Sequence, residues 1–85
     1  MSEKEIGTVT HWFGNIGVAG IELTGDLSVG DRISIKGHTT EFETTVDSIQ
    51  IDGENVDTAG SGADIGIKLA ERARVHDRVF RVESE

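Results

Sequence analysis

Apolar and polar residues alternate with a period of two along much of this chain, the spacing that turns one face of a β-strand toward a core. Val18 to Thr24 sets Ala19, Ile21 and Leu23 on one face and Gly20, Glu22 and Thr24 on the other. Ala63 to Leu69 repeats this, with Ala63, Ile65, Ile67 and Leu69 inward and Asp64, Gly66 and Lys68 outward. Asp31 to Lys36 sets Ile33 and Ile35 against Arg32, Ser34 and Lys36. Ile6 to Trp12 is rich in β-branched and aromatic residues, and Arg78 to Val82 carries Val79, Phe80 and Val82; both compositions suit a half-buried pleated surface.

From Glu43 to Asp52 the alternation breaks, because Val46 has the opposite parity to Ile49 and Ile51. One regular strand cannot bury all three, so the pattern predicts a bulge or sharp bend near Asp47–Ser48. Ala70 to Asp77 contains good helix formers, but eight residues without an apolar stripe do not sustain an isolated helix. An irregular crossover is expected there.

The chain has 11 glycines and no proline, so its turns fall to glycine, asparagine and aspartate. Turns are expected at Gly14–Asn15, at Gly25–Asp26 and over Gly37–Thr40, with a loop over Gly53–Gly62 that includes a short turn at Asn55–Thr58. No segment repeats at a fixed period. Six short strands without a convincing helix predict an all-β fold, a small closed antiparallel β-barrel. Closure would remove exposed strand edges. The single barrel domain is expected over 6–83, after a polar, frayed start at 1–5 and before a tail at 84–85.

Composition narrows the chemistry. At 85 residues there is room for one core, burying roughly 60–65% of the unfolded surface. Without cysteine, disulfides and cysteine-based zinc sites are excluded. No apolar run approaches the roughly 20 residues of a membrane helix, and the opening Met1-Ser2-Glu3-Lys4-Glu5 is not that of a signal peptide, so a soluble, cytoplasmic protein with no membrane partner is expected. A net charge of −8 opposes nonspecific binding to nucleic acid. The charge is uneven, however. Between Lys68 and Val82, the five basic residues Lys68, Arg72, Arg74, Arg78 and Arg81 face only Glu71 and Asp77. A basic edge on an acidic body suits an RNA or an acidic partner, whereas pairing with surrounding carboxylates would leave it merely solvated.

The order of several motifs adds a resemblance. These are Ile6-Gly7-Thr8-Val9, Ala19-Gly20-Ile21, Leu27-Ser28-Val29-Gly30-Asp31-Arg32-Ile33, Thr45-Val46-Asp47-Ser48-Ile49-Gln50, and the run from Val56 to Leu69 with its Ala59-Gly60 turn. In that order the chain resembles the second domain of the translational GTPases, the β-barrel that follows the nucleotide-binding domain in elongation factor Tu and its relatives. It also resembles that barrel as found without a GTPase, in free-standing small proteins and as an appendage on a collagenase-like peptidase family. The resemblance implies a noncatalytic, translation-factor-like binding module. No phosphate-binding loop is present, so GTP binding by this chain is not expected. Where the family often has glycine before the final aspartate, this chain has His76, which predicts a different last turn.

Conventional catalytic signals are weak. Asp31 follows a glycine turn, where its carboxylate is expected to cap backbone N–H groups. His11, His38 and His76 lack metal-ligand spacing, so no metal is expected. Gly60-Ser61-Gly62-Ala63-Asp64-Ile65-Gly66 has its third glycine one place too late for a dinucleotide loop and precedes a strand, so it reads as a turn. No serine or threonine has an adjacent histidine and carboxylate, and neither cofactor nor enzymatic activity is expected. Within His11-Trp12-Phe13, Trp12 or Phe13 is expected to plug one barrel end; Trp12, if exposed beside Arg72, Arg74 or Arg78, would instead stack a nucleotide base.

Two functions remain open on this reading. One is a noncatalytic module contacting RNA or a translation component through Lys68, Arg72, Arg74, Arg78, Arg81 and Trp12. The other is a protein-interaction adaptor or detached subunit that docks on an enzyme such as a collagenase-like peptidase. The partner is accordingly an unidentified protein or a structured RNA.

Overall fold

The computed structural model describes residues 2–83; Met1 and the expected tail at 84–85 lie outside the described residues. Among the described residues there are ten strands and no helix: β1 (Ser2–Phe13), β2 (Val18–Leu23), β3 (Leu27–Ser28), β4 (Arg32–Lys36), β5 (Glu41–Thr45), β6 (Ile49–Ile51), β7 (Glu54–Val56), β8 (Thr58–Ala59), β9 (Asp64–Lys68) and β10 (Arg78–Glu83). Eight form one sheet in the order β5, β4, β10, β1, β2, β9, β6, β7, while β3 and β8 form a separate ribbon. The fold is all-β, and Ala70 to Asp77 is an irregular crossover. It is not a closed barrel of six strands, because the ladders leave β5 and β7 as edges.

The extra strands arise where a loop was expected. Asp52 (φ 52°) and Gly53 (φ 81°) make a two-residue turn, flanked by Ile51 facing Glu54. Positive φ at both central residues is the primed hairpin geometry that Asp-Gly favours. The sheet still wraps around one core. Ile33 and Ile35 of β4 share a buried cluster with Ile49 of β6, although the two strands lie near opposite ends of the sheet order.

Strand β1 is the spine, paired with β10 on one side and β2 on the other. It starts at Ser2 rather than Ile6, because the polar start has partners. Ser2 faces Glu83 in the β10 ladder, Glu3 accepts from Lys36 Nζ at 2.7 Å, and Glu5 pairs with Arg78 at 3.0 Å. Its inward residues follow no period of two. The register shifts between Glu5 and Gly7 against β10, and between Val9 and His11 against β2. Each shift inserts one residue and bends the strand. Ile6 and Val9, of opposite parity, are therefore both buried, and Trp12 packs against the same core.

Strands β4 and β10 each follow a turn of the same construction. In Ser28–Asp31 the Ser28 N–H donates to Asp31 Oδ2 (2.9 Å), and the Asp31 N–H donates to the Ser28 carbonyl (3.1 Å). In Arg74–Asp77 the Arg74 N–H donates to Asp77 Oδ2 (2.8 Å), and the Asp77 N–H donates to the Arg74 carbonyl (3.0 Å). Each turn also grips the backbone of one buried valine. Gly30 N–H and Asp31 C=O bind Val46, while His76 N–H and Asp77 C=O bind Val9. Because β4 and β10 run antiparallel with Ser34 facing Phe80, the two units are related by a local two-fold axis between them. The chain therefore does contain a repeat. It escapes a fixed-period reading because the valines and the turns are separated by different lengths of chain. The grip on Val46 also accounts for the bend, as β5 ends at Thr45 and β6 starts only at Ile49.

The third residue of each turn has positive φ, Gly30 at 96° and His76 at 79°. The last turn is thus not different in shape. A histidine occupies the conformation that suits glycine, at a steric cost of roughly 1–2 kcal/mol. Glycine's greater freedom in the unfolded chain offsets part of that cost. His76→Gly is accordingly expected to raise the stability by about 0.5–1 kcal/mol, read as a higher urea midpoint at unchanged slope. A midpoint at or below the parent value would show that the His76 side chain contributes contacts outweighing its strain.

Candidate functional site

The basic residues expected to form one edge are spread over β10, the crossover and β9, and on β10 over both faces. Arg78 is on the outer face of β10 with its guanidinium against Glu5, 3.0 and 3.1 Å from the two carboxylate oxygens. Arg81 has the opposite parity on the same strand, donating to the Asp26 carbonyl at 2.8 Å and to Glu83 at 3.0 Å. Arg72 and Arg74 are exposed on the crossover, beside Thr39, Thr40, Glu41, Phe42 and Glu71 in a shallow depression. Lys68 is exposed on β9, facing Val18 of β2 in register. Exposed pairs of the Arg78–Glu5 kind contribute about 0–1 kcal/mol each, so they mask charge more than they hold the fold. Next to Arg78, the hydrogen bond to Glu3 raises the Lys36 ammonium above its usual range, and that ammonium lies 5.5 Å from the centre of the Phe80 ring.

Trp12 is half-buried and packs against the core. Its neighbours point the other way. His11 and Phe13 stack on the outer face of β1, with ring centres 5.9 Å apart and planes 12° from parallel. No group of three or more His, Cys, Asp or Glu able to hold a metal ion occurs among the described residues.

The stacked pair forms one wall of an open groove of about 680 Å3 across the outer faces of β1, β2, β9 and β6. The register explains its shape. His11 faces Gly20, Gly20 faces Gly66, and Gly66 faces Gln50, so two glycines lie side by side between longer residues. A Cβ at Gly20 would meet His11 Cβ at 3.2 Å, and one at Gly66 would meet Val18 Cγ1 at 3.3 Å. Two residues along the strands toward one end, Glu22 faces Asp64. Two residues toward the other, Phe13 faces Val18, and Ile16 stands 63% exposed beside them. The groove therefore has an acidic end, a floor of two glycines and, on the β1 side, an apolar end, with Lys68 facing Val18 from β9. The alternation in β2 and β9 already put Gly20, Glu22, Asp64 and Gly66 outward. Glycine inside a strand was the available signal of a close approach at this face.

With this geometry in place, comparison with known proteins bears on the two functional readings. No family model matches the chain. It is 43% identical over 77 residues to an uncharacterised protease of Methanocaldococcus jannaschii, a match covering 89% of this chain and 19% of that protein. It is 32% identical over 80 residues to a collagenase of Porphyromonas gingivalis, covering 92% of this chain and 22% of that protein. The chain thus spans about a fifth of the length of these relatives.

Among solved structures, the C-terminal domain of a candidate U32 peptidase of Geobacillus thermoleovorans superposes with a TM-score of 0.89 at 16% identity, covering 94% of this chain and 93% of that one. The selenomethionine variant of that domain gives 0.85 at 16% identity, covering 89% and 96%. At such identity the likeness defines the fold, which is that of this C-terminal domain. The resemblance to the second domain of translational GTPases is corrected by these findings, since the sequence relatives are a protease and a collagenase. The Val29-Gly30-Asp31 turn and its neighbours report turn geometry, and turn geometry does not carry function.

Proposed function

We propose that this domain is a noncatalytic docking module of a collagenase-like peptidase, holding a protein segment for a catalytic unit that lies elsewhere. The observation that carries this reading is the 43% identity to a protease of which the matched segment is only about a fifth. The open groove supports it, having apolar and acidic ends rather than an array of reactive groups.

An exchange experiment in the Porphyromonas gingivalis collagenase tests it. Deleting the 80 matched residues is expected to lower cleavage of collagen about tenfold or more, while hydrolysis of a short chromogenic peptide persists. Grafting this chain in their place should restore collagen cleavage, and the chain alone should hydrolyse neither substrate. Collagen cleavage indifferent to the deletion, or hydrolysis by the chain alone, would overturn the proposal.

A further inference from the structure

We infer that the groove binds an extended polypeptide segment carrying a lysine or arginine and a large apolar side chain four residues apart. This deepens the docking reading and rests on it. The first ground is electrostatic. Glu22 and Asp64 face each other directly on neighbouring strands, and neither belongs to an ion pair among the described residues. Like charges directly opposite in a sheet are unfavourable, and a cation brought between them removes that repulsion. The net charge of −8 draws basic segments toward the domain from a distance.

The second ground is the opposite end. Phe13 (48% exposed) and Ile16 (63% exposed) are large apolar residues presented to solvent in the same groove. Between the ends, Gly20 and Gly66 remove the side chains that would otherwise hold a backbone away from the sheet. From the Glu22 row to the Val18 row is four residues along β2, roughly 13 Å in an extended chain. Side chains four residues apart in an extended segment project to the same side. A basic residue on Glu22 and Asp64 therefore places an apolar residue on Phe13 and Ile16.

Selection from a phage library of random dodecapeptides against the immobilised chain tests this directly. Enriched peptides are expected to share a Lys or Arg and a Leu, Phe or Ile at a four-residue spacing. A synthetic peptide from that pool should shift the amide signals of Gly20 and Gly66 in an NMR titration. Glu22→Gln with Asp64→Asn should weaken it roughly tenfold and erase the preference for the basic residue. Phe13→Ser with Ile16→Ser, both at exposed positions, should weaken it similarly while leaving the thermal midpoint near the parent value.

Failure to enrich any peptide, enrichment without the basic residue, or shifts confined to another face would overturn the inference. So would a self-associated dimer closed over Phe13 and Ile16, or the same shifts produced by oligosaccharides. Peptide binding in the groove alongside an inert graft in the collagenase would count against the peptidase reading and leave the groove standing. A working graft that binds no peptide here would do the reverse.

Discussion

Gly37→Ala is expected to destabilise the domain by about 3 kcal/mol, lowering the thermal midpoint by roughly 4–8 °C per kcal/mol. The position is exposed and its φ is unremarkable, so nothing in the local conformation demands glycine. The demand comes from across the sheet. A Cβ at Gly37 would overlap the Asp77 carboxylate, whose Cγ lies 2.6 Å from the place it would occupy. Asp77 is only 4% exposed and is tied to the Arg74 N–H, so it cannot swing into solvent without leaving its turn. Relief requires moving either the Gly37–Thr40 turn, closed by Gly37 N–H to the Thr40 carbonyl at 2.7 Å, or the whole crossover. A loss under about 0.5 kcal/mol would show that one of them yields freely.

Asp77→Ala should cost about 2–3 kcal/mol, and Asp31→Ala about 1 kcal/mol, both read from urea unfolding. The two carboxylates make the same bond to the residue three positions earlier, at 2.8 and 2.9 Å. They differ in burial, Asp77 being buried and Asp31 half-exposed. Water can replace the lost acceptor at Ser28 more readily than at Arg74, whose turn lies under the Gly37 backbone. Asp77→Asn, which keeps an acceptor oxygen, should recover part of the loss. An equal or larger cost at Asp31 would sink the distinction. In the Asp77→Ala background, Gly37→Ala should lose most of its effect, since the group it strikes is gone.

Regular elements were legible wherever burial alone decides. In β2 and β9 one face is core and one is solvent, so alternation named Ala19, Ile21, Ile65 and Ile67 as inward. The bend after Thr45 was legible for the same reason, because Val46 and Ile49 cannot both face inward from a regular strand. Less legible was whatever depends on partners distant in sequence. The first residues of β1 look frayed until β10 and Lys36 are beside them. The Asp52-Gly53 hairpin had a local signal, but flanking residues Gln50, Glu54 and Asn55 lack the apolar density that usually accompanies it.

For the site, the sequence supplied outward orientation without adjacency. Arg78 and Arg81 are close in sequence yet on opposite faces of β10, whereas Gly20 and Gly66 are far apart in sequence and side by side in the sheet. Charge runs read along the chain overstate clustering for this reason, and the apolar end of the groove stayed hidden because an aromatic cluster in so small a domain reads as filling for the barrel end, whereas Phe13 stands 48% exposed.

The place of β10 in the sheet governs how the domain can be made. Among the described residues, strands β4 and β5 reach β1 only through β10, the last strand described. Until it has been synthesised and inserted, the facing sides of β1 and β4 are both open, and the Asp77 turn that holds Val9 does not exist. Assembly therefore waits for contacts of the longest range, which favours slow folding. The interval exposes two unpaired edges, so a nascent or C-terminally trimmed chain is the form most prone to join another copy of itself.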